Sequence, residues 1–177
     1  FFSLAAMELA RGLRQHLSAL GLALDFTAWY LDDGCFGGRV EAVQAAVAYI
    51  SEHGPGFGLL LNTHKSEVIG DPSHLDALRE AFPEYPNVVS WDDWHLLGTP
   101  CGSQPSVDAF LGRVADNAAR KSRLVTAIPD PHVAYALLRY CCGFCLGVFY
   151  MRACGPQPDV WRRVDDATFS AVCSLVP

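Results

Sequence analysis

Two adjacent carboxylates, Asp32 and Asp33, follow an aromatic pair, Trp29-Tyr30, and precede Gly34. Like charges held side by side repel, and a divalent cation offsets that repulsion. Carboxylate oxygens are hard donors, which suits magnesium. Two metals about 4 Å apart can activate an attacking hydroxyl and stabilise a leaving phosphate oxygen. The same tripeptide, Asp-Asp-Gly, is also common as a solvated hairpin turn, so the residues alone leave both readings open. A second pair, Asp92-Asp93, lies between Trp91 and Trp94 without a following glycine and reads as a loop.

Such ligands need rigid supports. Leu22 to Leu31 reads as a strand, Asp32-Asp33-Gly34 as a turn and Cys35-Phe36 as the return strand. The helical spacing of Leu4, Leu9, Leu13, Leu17 and Leu20 precedes the hairpin, with Gly21 as a stop. Arg39 to His53 is helical again, carrying Val40, Val43, Ala46, Val47 and Ile50 on one face. Phe57 to Leu61 and Ser66 to Ile69 read as strands around Asn62-Thr63-His64-Lys65. Ser73 is placed to cap a short helix reaching Phe82. Val88-Val89 and Trp94 to Leu97 are short strands before the turn-rich stretch Gly98 to Ser103. Beyond it the pattern is helical, with Val107, Phe110, Leu111, Val114, Ala118 and Val125 in one stripe. Asp130-Pro131 opens the next helix as a cap and first-turn proline, and Val160 to Val176 forms the last.

The 177 residues are 51% apolar and 18% charged, which excludes a disordered or collagen-like chain. The net charge of −6 excludes a uniformly basic nucleic-acid coat. Residues 1–100 carry 5 basic and 13 acidic side chains, and residues 101–177 carry 8 and 6, so two regions with different roles are expected. The seven cysteines are odd in number and cluster late, which favours an intracellular, reducing compartment without deciding between nucleus and cytoplasm. Cys142-Gly143-Phe144-Cys145 has a zinc-like spacing but no second pair, and buried thiols are the favoured reading. Phe1-Phe2-Ser3 lacks the basic start of a secretory signal. Arg139 interrupts the apolar run from Val133 to Met151, so a buried helix pair is expected there and no membrane partner.

Tyr30-Leu31-Asp32-Asp33 resembles the YxDD motif of reverse transcriptases. Three flanking segments extend the likeness. Phe2-Ser3-Leu4-Ala5 is similar to the end of the motif one helix upstream. Gly58-Leu59-Leu60-Leu61-Asn62-Thr63-His64-Lys65-Ser66-Glu67 is similar to the GLxLNxxKCE segment of non-LTR retroelement enzymes, with Ser66 in place of the usual cysteine. Leu96-Leu97-Gly98-Thr99-Pro100-Cys101-Gly102-Ser103 resembles their LLGxPIGS primer-grip hairpin. Ala136 to Cys141 and Tyr150-Met151-Arg152 look like parts of the helical thumb.

The resemblance implies an α+β fold. Residues 1–103 would be the C-terminal part of a polymerase palm, an antiparallel sheet with packed helices, incomplete at its N-terminus. Residues 104–177 would be a small helical thumb. The family's third catalytic aspartate and its fingers belong upstream of Phe1, so the chain is expected to be part of a longer polypeptide and inactive alone. Implied roles are metal ligation by Asp32 and Asp33, with Mg2+ or alternatively Mn2+, and proton donation to pyrophosphate by Lys65. Tyr30 would line the nucleotide site, and Leu96, Leu97 and Gly98 would hold the primer end. Arg113, Arg120 and Arg123 project within about 80° of one another on a helix at about 100° per residue, a face that could track duplex phosphates. The implied partners are an RNA template with DNA primer, deoxynucleoside triphosphates and the missing upstream segment. Two rivals remain: a non-catalytic nucleic-acid-binding remnant, and a structural helical protein with no nucleic-acid role.

Overall fold

The computed structural model describes residues 2–155 and 157–175. The fold is α+β, with seven helices and three two-stranded sheets among those residues. The chain divides into two compact units, one ending at Val89 and the other beginning at Ser90.

In the first unit, α1 (Phe2–Ala19) and α2 (Val40–His53) pack through apolar positions one turn apart. Leu9, Leu13 and Leu17 of α1 meet Ala46 and Ile50 of α2 in a single cluster. Leu4 and Leu20, expected on the same stripe, are exposed. The hairpin of β1 (Leu24–Tyr30) and β2 (Asp33–Gly38) adds Leu24, Trp29 and Phe36 to this core. Trp29 and Phe36 meet edge to face at 5.4 Å between ring centroids, an arrangement that aromatic quadrupoles favour. Tyr49 of α2 lies between two imidazoles, 4.9 Å from the His16 ring and 4.1 Å from that of His53.

Gly54-Pro55-Gly56-Phe57 forms a 3-10 turn where Phe57 to Leu61 was expected to extend as a strand. Pro55 favours the first turn of a helix, and left-handed Gly58 (φ 76°) ends it. A strand follows only at β3 (Glu67–Gly70), which pairs with β4 (Asn87–Ser90). Between them, Asp71 rather than Ser73 supplies the cap, because its carboxylate accepts from the Ser73 amide at 2.8 Å. These hydrogen bonds from Ser73 also lower the Asp71 pKa below the ordinary carboxylate value. The helix α3 (Leu75–Ala81) starts after this turn.

In the second unit, β5 (His95–Leu96) and β6 (Thr99–Pro100) form a small antiparallel hairpin. Four helices follow: α4 (Gln104–Val125), α5 (Pro131–Cys141), α6 (Phe144–Ala153) and α7 (Pro158–Leu175). Val107, Leu111, Ala115 and Ala118 of α4 bury against Trp161 and Val164 of α7, with Leu146, Tyr150 and Met151 of α6 alongside. A second cluster joins Val125, Ala134, Leu138, Cys142 and Ala171. Asp130 caps α5 by accepting from the amides of His132 and Val133, ahead of Pro131. The stretch Pro131–Ala153 has the length and apolar composition of a membrane span, with mean hydropathy 1.5. Its helices are separated at Cys142 and Gly143, where Gly143 is left-handed (φ 59°) and packs against Thr168.

The α1–α2 contact is the larger part of the first unit's core. Leu13→Ala should therefore lower its unfolding free energy by about 2–5 kcal/mol through lost burial plus a residual cavity. Urea denaturation followed by circular dichroism measures this, and a change within experimental error would show that Leu13 does not hold the unit together.

Candidate functional site

Side chains on a strand alternate between faces, so burying Trp29 inward directs Tyr30 outward. The pairing register continues this rule. Trp29 faces Gly34, Ala28 faces Cys35, and Tyr30 faces Asp33 as the last pair before the turn. The turn itself is Leu31-Asp32, one residue earlier than the expected Asp32-Asp33-Gly34. Leu31 carries the left-handed φ of 54°, the feature of primed turns that match strand twist in two-residue hairpins. Gly34 serves packing instead. A Cβ there would lie 3.2 Å from both the Trp29 and Phe36 rings, so glycine lets the inward rings close over the strand.

Asp32 therefore occupies the turn and Asp33 opens the return strand. Both are exposed, as are Tyr30 and Leu31. Cys35 lies two residues beyond Asp33 on the same outward face. Burial, and then the Asp33 charge, push its thiol pKa above the ordinary value. Oxygen donors suit magnesium, which is often held by one or two carboxylates plus substrate phosphates and water. Among the described residues, no group of three or more His, Cys, Asp or Glu side chains is placed to hold one metal ion.

Lys65 sits at the end of a turn before β3, exposed to solvent. Its amide donates to the Asn62 carbonyl at 3.1 Å and to the Asn62 side-chain oxygen at 3.2 Å. Ser66 closes the same turn by donating to the Asn62 carbonyl at 2.9 Å. Asn87 of β4 anchors the turn from the other side, donating to the His64 carbonyl at 2.7 Å. Asn62 and Asn87 thus fix the backbone around Lys65.

Leu96 faces Thr99 across the β5–β6 hairpin, whose turn is Leu97-Gly98. Both turn residues have positive φ, 50° and 77°, as a type I′ turn requires. Leu97 is about half exposed. Gly102 permits a close approach, since a Cβ there would meet the Asp92 carbonyl at 2.1 Å. The Ser103 amide donates to that carbonyl at 2.7 Å, and the Cys101 amide to Trp94 at 2.9 Å. Ser106 of α4 donates to Asp93, and the His95 ring packs on Phe110. The hairpin that the motif would assign to residues 1–103 thus packs with the helical unit. Leu96, Leu97 and Gly98 lie in a different unit from Asp32, Asp33 and Lys65.

Arg113, Arg120 and Arg123 are all exposed on α4, away from its buried stripe. Arg113 stacks over Phe110, 5.6 Å from the ring centroid, and Arg120 donates to Asn117 at 2.9 Å. Arg123 borders a shallow groove with Thr126 and Ser170. Asp116, which interrupts this face in sequence, is held by Arg163 of α7 at 2.9 Å. Among the described residues, none of the three arginines has a carboxylate within 4.0 Å. The late cysteines split by burial, with Cys142 inside and Cys141 and Cys145 exposed.

No protein-family model matches the chain, and no curated protein or solved structure is found to be similar to it.

Leucine is a poor occupant of the first position of a type I′ turn, whereas Asn-Gly is the preferred pair. Leu97→Asn should stabilise the β5–β6 hairpin by about 0.5–1 kcal/mol, read as slower hydrogen exchange at the Thr99 amide. Faster exchange in the variant would show that Leu97 does not pay for a left-handed backbone.

Proposed function

We propose that the chain is the C-terminal palm and the thumb of an RNA-directed DNA polymerase of the non-LTR retroelement type. The observation that carries this reading is the Tyr30-Leu31-Asp32-Asp33 hairpin. Its two carboxylates are exposed at and beside a tight turn, and its strands are anchored inward by Trp29 and Phe36. The parent reaction joins a primer 3′-hydroxyl to the α-phosphorus of a deoxynucleoside triphosphate. A new phosphoester bond forms, the bond to pyrophosphate breaks, and the hydroxyl proton passes to solvent.

Asp32 and Asp33 would hold a divalent cation through their carboxylate oxygens, and such a cation would supply acidification of the attacking hydroxyl and charge neutralisation on the leaving group. Tyr30 presents its ring on the same face as Asp33 and borders the incoming nucleotide. Lys65 donates a proton to the departing pyrophosphate. Leu96, Leu97 and Gly98 support the primer end, where a glycine turn leaves room for a sugar-phosphate chain. Arg113, Arg120 and Arg123 neutralise duplex phosphates. Their freedom from carboxylate partners supports this role, because an ion-paired arginine gains less from a phosphate. The template is RNA with a DNA primer.

In the complete polymerase, Asp32→Asn should lower single-nucleotide incorporation by about two orders of magnitude or more. Affinity for a primer–template duplex should stay within about twofold, because phosphate contacts on another unit carry it. Near-normal incorporation by the variant would remove Asp32 from the metal site. Parallel losses of incorporation, duplex affinity and thermal stability would assign it a structural role.

A further inference from the structure

A cavity of about 490 Å3 opens in the first unit between α2 and the segment that follows α3. Its apolar walls come from Val47, Ala48, Phe82 and Pro83, and two carboxylates, Glu52 and Glu84, also line it. Val47, Ala48 and Glu52 share one face of α2, distinct from the face that buries Ala42, Ala46 and Ile50 in the core.

The walls are fixed by contacts within the unit. Gln44 donates to the Ala81 carbonyl at 2.7 Å, which ties α2 to the end of α3. Phe82 is 5% exposed and meets Tyr85 edge to face at 6.0 Å. Burial, and then the Glu84 charge, raise the Tyr85 phenol pKa above its ordinary value. The lining contains no lysine or arginine. Among the described residues, neither glutamate has a lysine or arginine within 4.0 Å. The His53 Nδ1 lies 4.0 Å from Glu52, whose side chain is largely exposed. That ring is stacked on Tyr49, and its Nδ1 also lies 3.1 Å from the Tyr49 carbonyl.

The volume lies in the range of small-molecule sites, and the lining is mixed, with Gln44, Ser51 and Tyr85 beside the apolar walls. Apolar walls with two carboxylates and no resident cation match a ligand with a flat apolar body and one positive charge. We propose that this cavity binds a small organic monocation bearing an amidinium, guanidinium or ammonium group. Its apolar part would lie on Val47, Ala48 and Pro83, and its charge would sit between Glu52 and Glu84. The site lies on residues that the polymerase reading does not use, and it stands or falls independently of that reading.

The test is titration of the 15N-labelled chain with benzamidine, which is cationic at neutral pH, and with its neutral isostere benzamide. Benzamidine should give saturable shifts centred on the amides of Gln44, Ser51 and Tyr85, with an affinity at least about tenfold above that of benzamide. Glu52→Gln and Glu84→Gln are surface changes that leave the fold intact, and each should weaken benzamidine severalfold. Ala48→Arg, which supplies a cation from within, should abolish the shifts. Equal binding of benzamide, shifts centred elsewhere, or indifference to both glutamate substitutions would overturn the proposal. Tighter binding of acetyl-Ala-Arg-Ala-amide than of benzamidine would also overturn it, by making the occupant a protein segment.

Discussion

Trp29 and Phe36 close edge to face over Gly34 and bury against α1 and α2, and this packing decides where the two aspartates point. A strand offers only two faces, so fixing Trp29 inward fixes Tyr30 outward and, through the Tyr30–Asp33 pair, Asp33 with it. A slip of one residue would turn Asp33 toward Leu13 and Ile50, where an unpaired carboxylate is costly. The left-handed Leu31 is a local expense of the short turn, which large aromatic burial can offset. The acidic tip is thus a consequence of an apolar contact made on the other side of the ribbon.

The helical unit follows the same logic with a period of 3.6. Burying Val107, Leu111, Ala115 and Ala118 against Trp161 and Val164 leaves the opposite side of α4 to Arg113, Arg120 and Arg123. Arg163 of α7 holds Asp116, the one acidic group between them in sequence, and so keeps it from neutralising the arginine face. An exposed pair of this kind contributes little to stability. Its consequence here is electrostatic, leaving three cations available to polyanions.

Much of this organisation is legible in the sequence because it rests on repeated burial. The helices α1, α2, α4 and α7 announce themselves by apolar spacing, and Asp130-Pro131 by capping chemistry that acts over three residues. The errors fall where a residue type has two uses. Gly34 reads as a turn glycine, yet its missing Cβ makes room for two rings, and the turn moves back to Leu31-Asp32. Asp71 and Ser73 are both good caps, and only the local hydrogen bonds choose between them. Phe57 to Leu61 has strand-like composition, but Gly54-Pro55-Gly56 imposes a helical turn that leaves Leu60 exposed. The β5–β6 hairpin joins the helical unit through His95, Asp93 and Gly102, long-range contacts that a motif string does not encode. The cavity beside Phe82 and Tyr85 escapes sequence reading for the same reason, since its two walls, residues 44–52 and 81–85, are distant in the chain.

The claim that Asp32 and Asp33 form a cation site can be read from their neighbour Cys35, whose thiol is held above its ordinary pKa partly by the Asp33 charge. The measurement is the iodoacetamide alkylation rate of Cys35 near the ordinary thiol pKa of about 8.5, followed at that residue by peptide mass spectrometry. Magnesium chloride is compared with potassium chloride at equal ionic strength. A cation bound between the carboxylates offsets the charge that disfavours the thiolate, so magnesium should lower the Cys35 pKa and speed its alkylation. Asp32→Asn with Asp33→Asn should raise the starting rate and abolish the magnesium response. A Cys35 rate indifferent to magnesium, or a response that survives both substitutions, would contradict the account.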